Sequence, residues 1–332
     1  MRPQHTRPTL SVGVDMDALR HYLLIHGVSG EGEGADQRGG EGARDEGAMD
    51  AAWSVALGRF LELFERLGVR ATFYCVAEDL TRSPSCHAAL ARATAAGHEV
   101  GNHSWRHPYA LTRLPEPDLR AEVAEGKRLL EEALGVEVAG FRAPGYHTSP
   151  LVQRAALDAG HTYESSAFPC APYYIAKGAV LGLMRLRGRR SQSIMASPRL
   201  LLAPRAPYLS SPSRPYARAT AEEVAAGGAL RHFPISVLCG APLIGTAFTA
   251  LGPRLSALLC GAARRVSAHL TLELHAVDLL SLAEDGLSPL LSSQPDLRAS
   301  LARKRSSFEA ALRAAGRGAE VVTLAELARR AP

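Results

Sequence analysis

Residues 9–17 read TLSVGVDMD, an apolar, strand-like run that ends in two acidic residues. Alternating valines and other apolar side chains favour a buried extended segment. Residues two positions apart on a strand project from the same face, so Asp15 and Asp17 reach the same space. This opening stretch therefore predicts a buried strand that delivers two carboxylates to one place.

Outward from this strand, strand-like and helix-like segments alternate along most of the 332 residues. A repeated strand–helix pattern predicts parallel strands. We expect an α/β fold, a distorted (β/α) barrel of about seven parallel strands. In such barrels the chemical residues lie at the C-terminal ends of the strands, which is where both aspartates fall.

The chain is predicted to be one catalytic domain over residues 1–332, with two interruptions. Residues 28–50 are rich in glycine and charge and are predicted to form a flexible surface loop. Residues 169–218 are predicted to be a basic, irregular insertion that covers the site, because seven prolines lie between Pro169 and Pro215.

Positive charge is concentrated in one part of the chain. The net charge is +5, but residues 165–221 contain no Asp or Glu and carry +9, so about −4 remains elsewhere. Two interpretations stay open: a rim that attracts an anionic substrate or an anionic membrane, and a solvated loop. Nucleic acid is not an expected partner, because no recognised binding motif accompanies the charge.

Cysteine usage and hydropathy narrow the class of protein. Five cysteines without a CxxC pair argue against a disulfide scaffold and a thiolate zinc site, and fit a reducing compartment. No apolar signal core precedes the first strand, so we expect a cytoplasmic protein, at most peripheral to the inner face of a membrane. Residues 232–253 lack charge, but Pro and Gly interrupt them, which argues against a transmembrane helix. Two interpretations stay open for this stretch: a buried strand with a core helix, and an apolar surface that meets lipid.

A second chemical motif, HSWRH, spans residues 103–107. His103 and His107 are spaced i, i+4, so on one helical turn they would share a face and chelate one ion. With Asp15 and Asp17 they form a set of two carboxylates and two imidazoles. Three of these groups can bind a divalent metal, and the fourth can take the proton of a water molecule. The sequence therefore predicts a metal-dependent hydrolase.

Four motifs occur in the order Asp-x-Asp, His-Ser-x-x-His, Arg-x-Pro and Leu-x-His. This order resembles the polysaccharide deacetylase superfamily (NodB homology, carbohydrate esterase family four), in its Asp-x-Asp branch. There is some likeness to the lipid-linked aminoarabinose deformylases. The resemblance covers roughly Leu10 to Leu327, and it implies a distorted (β/α) barrel that removes acyl groups from N-acylated sugars with a divalent metal.

The resemblance implies a role for each residue of the first two motifs. Asp17, His103 and His107 would be the metal ligands, and Asp15 would be the general base. Zinc suits two imidazoles and a carboxylate best, although cobalt, nickel or manganese would also fit.

The third motif lies in GFRAPGYH, residues 140–147. By the resemblance, Arg142 would hold Asp15 ionised and oriented. The backbone N–H of Gly145 would face the oxyanion, and Tyr146 would line the substrate site.

The last motif, in LELHAVD at residues 272–278, contains His275, which the resemblance makes the general acid for the leaving amine. Relatives commonly carry an Asp-containing motif that tunes this histidine, and Glu164 stands in that place here. Either Glu164 pairs with His275 or it is a surface acid, and Asp278 is the rival tuning group.

Three functions remain open on the sequence. The first is removal of an N-acetyl or N-formyl group from an amino sugar, as a glycan or a lipid-linked precursor. The second is a non-catalytic sugar- or lipid-binding protein on the same fold, which would not need a base, an acid and a metal together. The third is hydrolysis of a cyclic amide, as in allantoinase-like relatives.

Overall fold

The computed structural model describes residues 7–26, 50–189 and 191–330. The strands are β1 (Thr9–Met16), β2 (Thr72–Cys75), β3 (Glu99–Asn102), β4 (Gly140–Phe141), β5 (Tyr163–Glu164), β6 (Tyr208–Ser211), β7 (Arg214–Arg218), β8 (Leu230–His232), β9 (Val237–Leu238), β10 (Ala241–Pro242), β11 (His269–His275) and β12 (Glu320–Val321). The α-helices are α1 (Leu19–Ile25), α2 (Leu57–Leu67), α3 (Asp79–Arg82), α4 (Cys86–Ala95), α5 (Glu116–Leu134), α6 (Pro150–Asp158), α7 (Ala171–Leu186), α8 (Ala221–Ala225), α9 (Gly245–Val266), α10 (Leu301–Ala315) and α11 (Leu324–Arg330).

The main sheet confirms the predicted α/β class. Its strands run in the order β11-β1-β2-β3-β4-β5-β8, and each neighbouring pair in this series is parallel. The short β12 is also parallel and pairs with the start of β1. Strands β6 and β7 extend the β8 edge as antiparallel partners. Parallel strands bring all their C-terminal ends to one edge of the sheet, and the site is built at that edge.

The sheet curves without closing completely. Within the described residues no strand ladder joins β8 to β11, so a continuous barrel is not formed. The segment after β8 crosses this gap, where the backbone N–H of Ser236 donates to the carbonyl of Thr271 (2.9 Å). A second link is the hydrogen bond from the N–H of Glu273 to the carbonyl of Leu243 (3.2 Å). The sheet is therefore an incompletely closed barrel, and its gap lies between β8 and β11.

Apolar periodicity explains how the helices pack on the sheet. In α2, Leu57, Phe60 and Phe64 are buried at helical spacing, and the helix ends at Gly68 with a left-handed φ of 62°. These side chains join the alternating apolar residues of β1 in one hydrophobic core. This core lies beneath the edge that carries the polar groups.

The basic insertion is more regular than its proline content predicted. It contains α7, the hairpin of β6 and β7, and a 3₁₀ turn over Pro198–Leu202. The prediction of an irregular segment was wrong because Pro172 lies in the first turn of α7, where no N–H is required, and the next proline is Pro198. The predicted loop at 28–50 lies outside the described residues, except for Asp50.

None of the helices in the described ranges combines the length and the apolarity needed to cross a bilayer. The uncharged stretch at residues 232–253 folds as the end of β8, the β9–β10 hairpin and the first turns of α9. Gly252, with φ of 76°, and Pro253 kink α9 about a third of the way along its length.

Candidate active site

Two neighbouring strands place an acid and a histidine side by side. Asp15 ends the ladder between β1 and β11, where its partner in register is His275. Side chains of residues in register on parallel neighbours project to the same face, so both groups enter the same cavity. Asp17 follows the end of β1 and shares this face by the two-residue period. All three residues line a cavity of about 520 Å³.

The HSWRH motif is a loop after β3, and the predicted helical turn was wrong. Ser104 and His107 have left-handed φ angles of 70° and 61°, which a continuous α-helix excludes. The loop is turned instead by local hydrogen bonds. The Ser104 hydroxyl accepts from the backbone N–H of His107 (3.0 Å). The two imidazoles still converge, with ring centroids 4.8 Å apart.

Helix α5 fixes this loop from outside. The buried Asn102 side chain donates to the carbonyl of Val123 (2.8 Å) and accepts from the N–H of Ser104 (2.9 Å). The Glu122 carboxylate accepts from the N–H of Arg106 (2.8 Å). A side chain at Gly126 would collide with the loop, since its Cβ would lie 2.4 Å from the Asn102 Oδ1. Close helix–loop contact therefore holds the two histidines in place.

Asp17, His103 and His107 form a compact ligand cluster. Asp17 Oδ1 lies 3.4 Å from the Nε2 atoms of both His103 and His107. His103 donates from Nδ1 to the carbonyl of Arg142 (2.7 Å), which leaves Nε2 free to coordinate. Burial lowers the pKa of His107 to about 3 and also lowers the pKa of His103. Both imidazoles are therefore neutral at neutral pH, the form that binds metals.

The residues of this cluster fit a divalent cation. Among the described residues, Asp17 Oδ1 and both ring nitrogens of His107 are buried without a hydrogen-bond partner. Burial raises the pKa of Asp17, and the charges of His103 and His275 oppose this effect only in part. Buried polar atoms of this kind are costly unless something satisfies them. One carboxylate and two neutral imidazoles within 4.8 Å of one another match a cation site with open positions.

Asp15 is held differently, by a buried arginine. The Arg142 guanidinium donates to Asp15 Oδ1 (2.5 Å) and to the carbonyl of Ser165 (2.9 Å). Burial alone would raise the pKa of Asp15, but Arg142 and His103 lower it below its ordinary value. Arg142 also lies over the Tyr74 ring at 4.1 Å. Asp15 is therefore an ionised carboxylate of fixed orientation.

A missing side chain makes room for this arginine. A Cβ at Gly13 would lie only 2.6 Å from one terminal nitrogen of Arg142 and 2.9 Å from the other. Gly13 is two residues before Asp15 on the same face of β1. The guanidinium can reach Asp15 only because position 13 has no side chain.

His275 pairs with a residue that the sequence analysis missed. Its Nδ1 lies 2.8 Å from Oε1 of Glu273, which is fully buried. Burial alone would lower the pKa of His275, but Glu273, Asp15 and Asp17 raise it well above its ordinary value. The signal was present in the sequence, because Glu273 and His275 are two residues apart on one strand and share a face.

The sequence offered Glu164 and Asp278 as candidate acids to pair with the His275 ring, and the structure places their carboxylates elsewhere. Glu164 is buried and lies 3.0 Å from the ring of His232, its register partner on β8. It is therefore neither the partner of His275 nor a surface acid, because β5 pairs with β8 whereas β11 pairs with β1. Asp278 accepts a hydrogen bond from the backbone N–H of His275 (2.8 Å).

The loop after β4 supplies another wall of the cavity. Gly145 and Tyr146 both have left-handed φ angles, 63° and 66°, and both line the cavity. The Tyr146 hydroxyl lies 3.2 Å from Nε2 of His275. Helix α7 forms the facing wall with mostly apolar side chains, together with Lys177. Burial lowers the pKa of Lys177 to about 8.

Comparison with known proteins agrees with the family resemblance of the sequence motifs. The polysaccharide deacetylase family profile matches residues 48–164, which include both histidines of the ligand cluster and Arg142. A peptidoglycan-N-acetylglucosamine deacetylase from Bacillus cereus is 30% identical over 101 residues. That match covers 30% of this chain and 45% of the relative, so the chain spans less than half of that protein.

Solved structures support the fold over nearly the whole chain. A protein from Mycobacterium smegmatis assigned to the polysaccharide deacetylases has a TM-score of 0.58 at 17% identity, covering 99% of this chain and 92% of that one. Puue allantoinase has a TM-score of 0.57 at 16% identity, covering 98% and 91%. At these identities the two structures show the fold alone. The family profile agrees with the resemblance seen in the sequence motifs, and residues 48–164 are similar to the polysaccharide deacetylases.

Proposed function

We propose that this chain is a metal-dependent hydrolase that removes an acyl group from the nitrogen of an amino sugar. The observation that carries the proposal is the pairing of two clusters in one cavity. A ligand cluster lacks partners for its buried donor atoms, and beside it lie a carboxylate held by arginine and a histidine held by glutamate. A sugar-binding module would have no use for this combination.

Asp17, His103 and His107 would hold the divalent metal, with zinc as the preferred ion. When bound, such an ion polarises the amide carbonyl and makes water more acidic. Asp15 stays outside the ligand set in this proposal, because Arg142 already occupies one of its oxygens.

Asp15 is the general base. Its pKa is lowered by Arg142 and His103 against the effect of burial, so the carboxylate is ionised and can accept a proton at neutral pH. The arginine also fixes which oxygen faces the cavity. Gly145 offers a backbone N–H at the cavity wall, where it can stabilise negative charge on the carbonyl oxygen.

His275 is the general acid. The Glu273 carboxylate beside Nδ1 favours the imidazolium, so Nε2 carries a proton toward the cavity. Cleavage of the C–N bond requires that the departing nitrogen receive a proton, and His275 supplies it. Tyr146 contacts the same Nε2 and orients the ring before substrate enters. Glu164 has no part in this proposal, because it pairs with His232.

For the substrate, a lipid-linked amino sugar fits this cavity better than a long free glycan. One wall is formed by apolar side chains of α7, which offer few hydrogen bonds to sugar hydroxyls. The groups proposed for metal binding and proton transfer lie at the sheet edge, where the acylated nitrogen would lie. An amphiphile presents the matching polarity, with a sugar at one end and a hydrocarbon at the other.

The decisive experiment incubates metal-loaded protein with N-acetyl and N-formyl amino sugars, both free and polyprenyl-phosphate-linked, and identifies products by mass spectrometry. We expect loss of the acyl group as free acid. Hydrolysis of allantoin alone would favour a cyclic-amide hydrolase instead. Tight sugar binding without any product would favour the non-catalytic function.

The metal site is tested by His103→Ala, with His98→Ala as the matched control. His98 is a buried histidine that accepts from the N–H of Ala71 and lies outside the cavity. We expect His103→Ala to lose stoichiometric metal by elemental analysis while the circular dichroism spectrum is retained. Full metal occupancy in that variant would remove His103 from the proposed ligand set.

A further inference from the structure

Helix α7 is apolar on both of its faces. Its 16 residues, APYYIAKGAVLGLMRL, contain two charged side chains, Lys177 and Arg185. One face lines the cavity through residues at helical spacing, namely Tyr173, Ala176, Lys177, Val180, Leu181 and Met184. Helices without a polar face are normally buried. Something must cover the other face of α7.

That other face is open to solvent. Ile175 is 73% exposed and Leu186 is 86% exposed, and the exposed Leu183 lies between them on the same side of the helix. Exposed large apolar residues continue into the following segment with Met195, Leu201 and Leu202. More than half of the large apolar residues exposed on the described surface therefore lie within residues 175–202. A row of exposed apolar side chains along one helix face, here Ile175, Leu183 and Leu186, marks an interaction surface.

The charges at the end of α7 indicate what covers it. Arg185, Arg187 and Arg189 are exposed, and Arg190 lies outside the described residues. No acidic residue occurs between residues 165 and 221. A second copy of this chain bound symmetrically over α7 would bring two arginine clusters together without compensating acids. An anionic lipid surface supplies both the negative charge and the apolar layer that this helix requires.

We propose that α7 docks this protein on an anionic lipid surface, with Ile175, Leu183 and Leu186 in the apolar layer and the arginines at the headgroups. At ~1.5 Å per residue the helix is ~24 Å long, so it lies in the plane of the surface and does not span it. Its cavity face then opens beside the lipid. The proposal rests on the proposed function only in taking that cavity as the active site.

The test is co-sedimentation of the full chain with phosphatidylglycerol vesicles and with phosphatidylcholine vesicles. We expect binding to the anionic vesicles only, and weaker binding at high salt, since the Debye length falls from ~10 Å at ~0.1 M to ~3 Å at ~1 M. Absence of binding to anionic vesicles at low salt would overturn the proposal. Equal binding to both kinds of vesicle would overturn the role of the arginines.

Two variants separate the charges from the apolar face. Replacing Arg185, Arg187 and Arg189 with Gln should reduce partitioning about 100-fold, because each arginine near an anionic bilayer contributes about fivefold. The matched control replaces three exposed arginines elsewhere on the surface, Arg254, Arg305 and Arg317. The control changes the net charge equally and should retain binding. If both variants lose vesicle binding equally, binding depends only on the net charge of the protein, and the proposal is overturned.

The apolar contribution is tested by Ile175→Ser with Leu186→Ser, against Leu258→Ser, which alters a 68% exposed leucine on α9. The paired variant should bind vesicles at least 10-fold more weakly, whereas the control should be unchanged. If the paired variant instead dissociates a dimer in sedimentation velocity and keeps its vesicle binding, a second copy covers α7 and the proposal fails.

Activity distinguishes this proposal from the proposed function. None of the altered residues lines the cavity, so hydrolysis of a short water-soluble N-acyl amino sugar should stay within about twofold in every variant. Vesicle binding without hydrolysis would count against the proposed function alone. Hydrolysis of a soluble substrate by protein that ignores anionic vesicles would count against the docking surface alone.

Discussion

Two pairs of glutamate and histidine lie on the same sheet, and only one of them faces the cavity. Glu164 and His232 are both inaccessible, on β5 and β8. Glu273 is also inaccessible, but the side chain of His275 is 24% exposed and its Nε2 meets the cavity. One glutamate–histidine pair is therefore enclosed in the protein interior, whereas the histidine of the other pair reaches the candidate active site. Strand register decides between them, because His275 is the partner of Asp15 whereas His232 is the partner of Glu164.

Replacing each histidine with alanine should separate the roles of the two pairs most clearly. His275→Ala should retain metal and fold but lose about 10²–10⁴-fold in kcat, because the departing nitrogen loses its proton donor. The loss should be greatest for amides with poor leaving amines. Steady-state kinetics on activated and unactivated amides measures this, and equal losses on both would argue against His275 as the acid.

His232→Ala should have the opposite profile. It leaves the Glu164 carboxylate buried without its partner, so we expect the free energy of unfolding to fall by about 3–5 kcal/mol. The folded fraction should hydrolyse substrate at nearly the normal rate. Urea denaturation followed by circular dichroism gives the first quantity, and titration of active sites gives the second. A large fall in kcat with unchanged stability would place His232 in the reaction.

The general base gives a second large effect. Asp15→Asn should keep the metal, because Asp17 and the two imidazoles are unchanged, but should lose about 10²–10⁴-fold in kcat. Elemental analysis and kinetics on the same sample separate metal loss from loss of the base. Near-normal turnover with metal bound would mean that another group accepts the proton.

The two glutamates should differ in the pH dependence of activity. Glu273 raises the pKa of His275, so the active imidazolium persists to higher pH and is lost as pH rises through that pKa. In Glu273→Gln the negative charge is removed, so the alkaline limb of kcat should move to lower pH, with about 10-fold less activity at alkaline pH. Glu164→Gln is the control and should leave the limb in place. If the alkaline limb of the kcat profile does not move in Glu273→Gln, Glu273 has a packing role only.

The smallest effect is expected for Tyr146→Phe. This change removes a single hydroxyl that lies 3.2 Å from Nε2 of His275 and leaves the ring and the cavity shape intact. A neutral hydrogen bond of this kind contributes about 1 kcal/mol, so kcat should fall about fivefold. A loss as large as that of His275→Ala would instead assign the proton transfer to the tyrosine.

The sequence predicted those features that depend on local periodicity. The two-residue period of TLSVGVDMD correctly placed Asp15 and Asp17 on one face, and the alternation of strands and helices correctly indicated a parallel sheet. The order of the four motifs also predicted that Arg142 and His275 lie near the aspartates. In the structure Arg142 donates to Asp15, and His275 lines the same cavity as both aspartates. The first two inferences need only the spacing of residues along the chain, whereas the third came from the resemblance carried by four motifs in order.

Features that depend on contacts between distant segments were missed. The partner of Glu164 follows from the pairing of β5 with β8, which no spacing within residues 161–166 reveals. The loop at His103–His107 is shaped by Asn102 and α5, so its i, i+4 spacing wrongly suggested a helical turn. In the basic insertion, proline content was a poor guide because the prolines lie at the ends of elements.

The left-handed backbone at Ser104 and His107 has a consequence for metal selectivity. Such conformations cost about 1–3 kcal/mol each and persist only where surrounding contacts enforce them. We therefore expect the loop to keep its shape before any ion arrives and to adjust little to ions of different radius. Competition among divalent ions should then follow the fixed spacing of Asp17, His103 and His107, in preference to the general order of affinities.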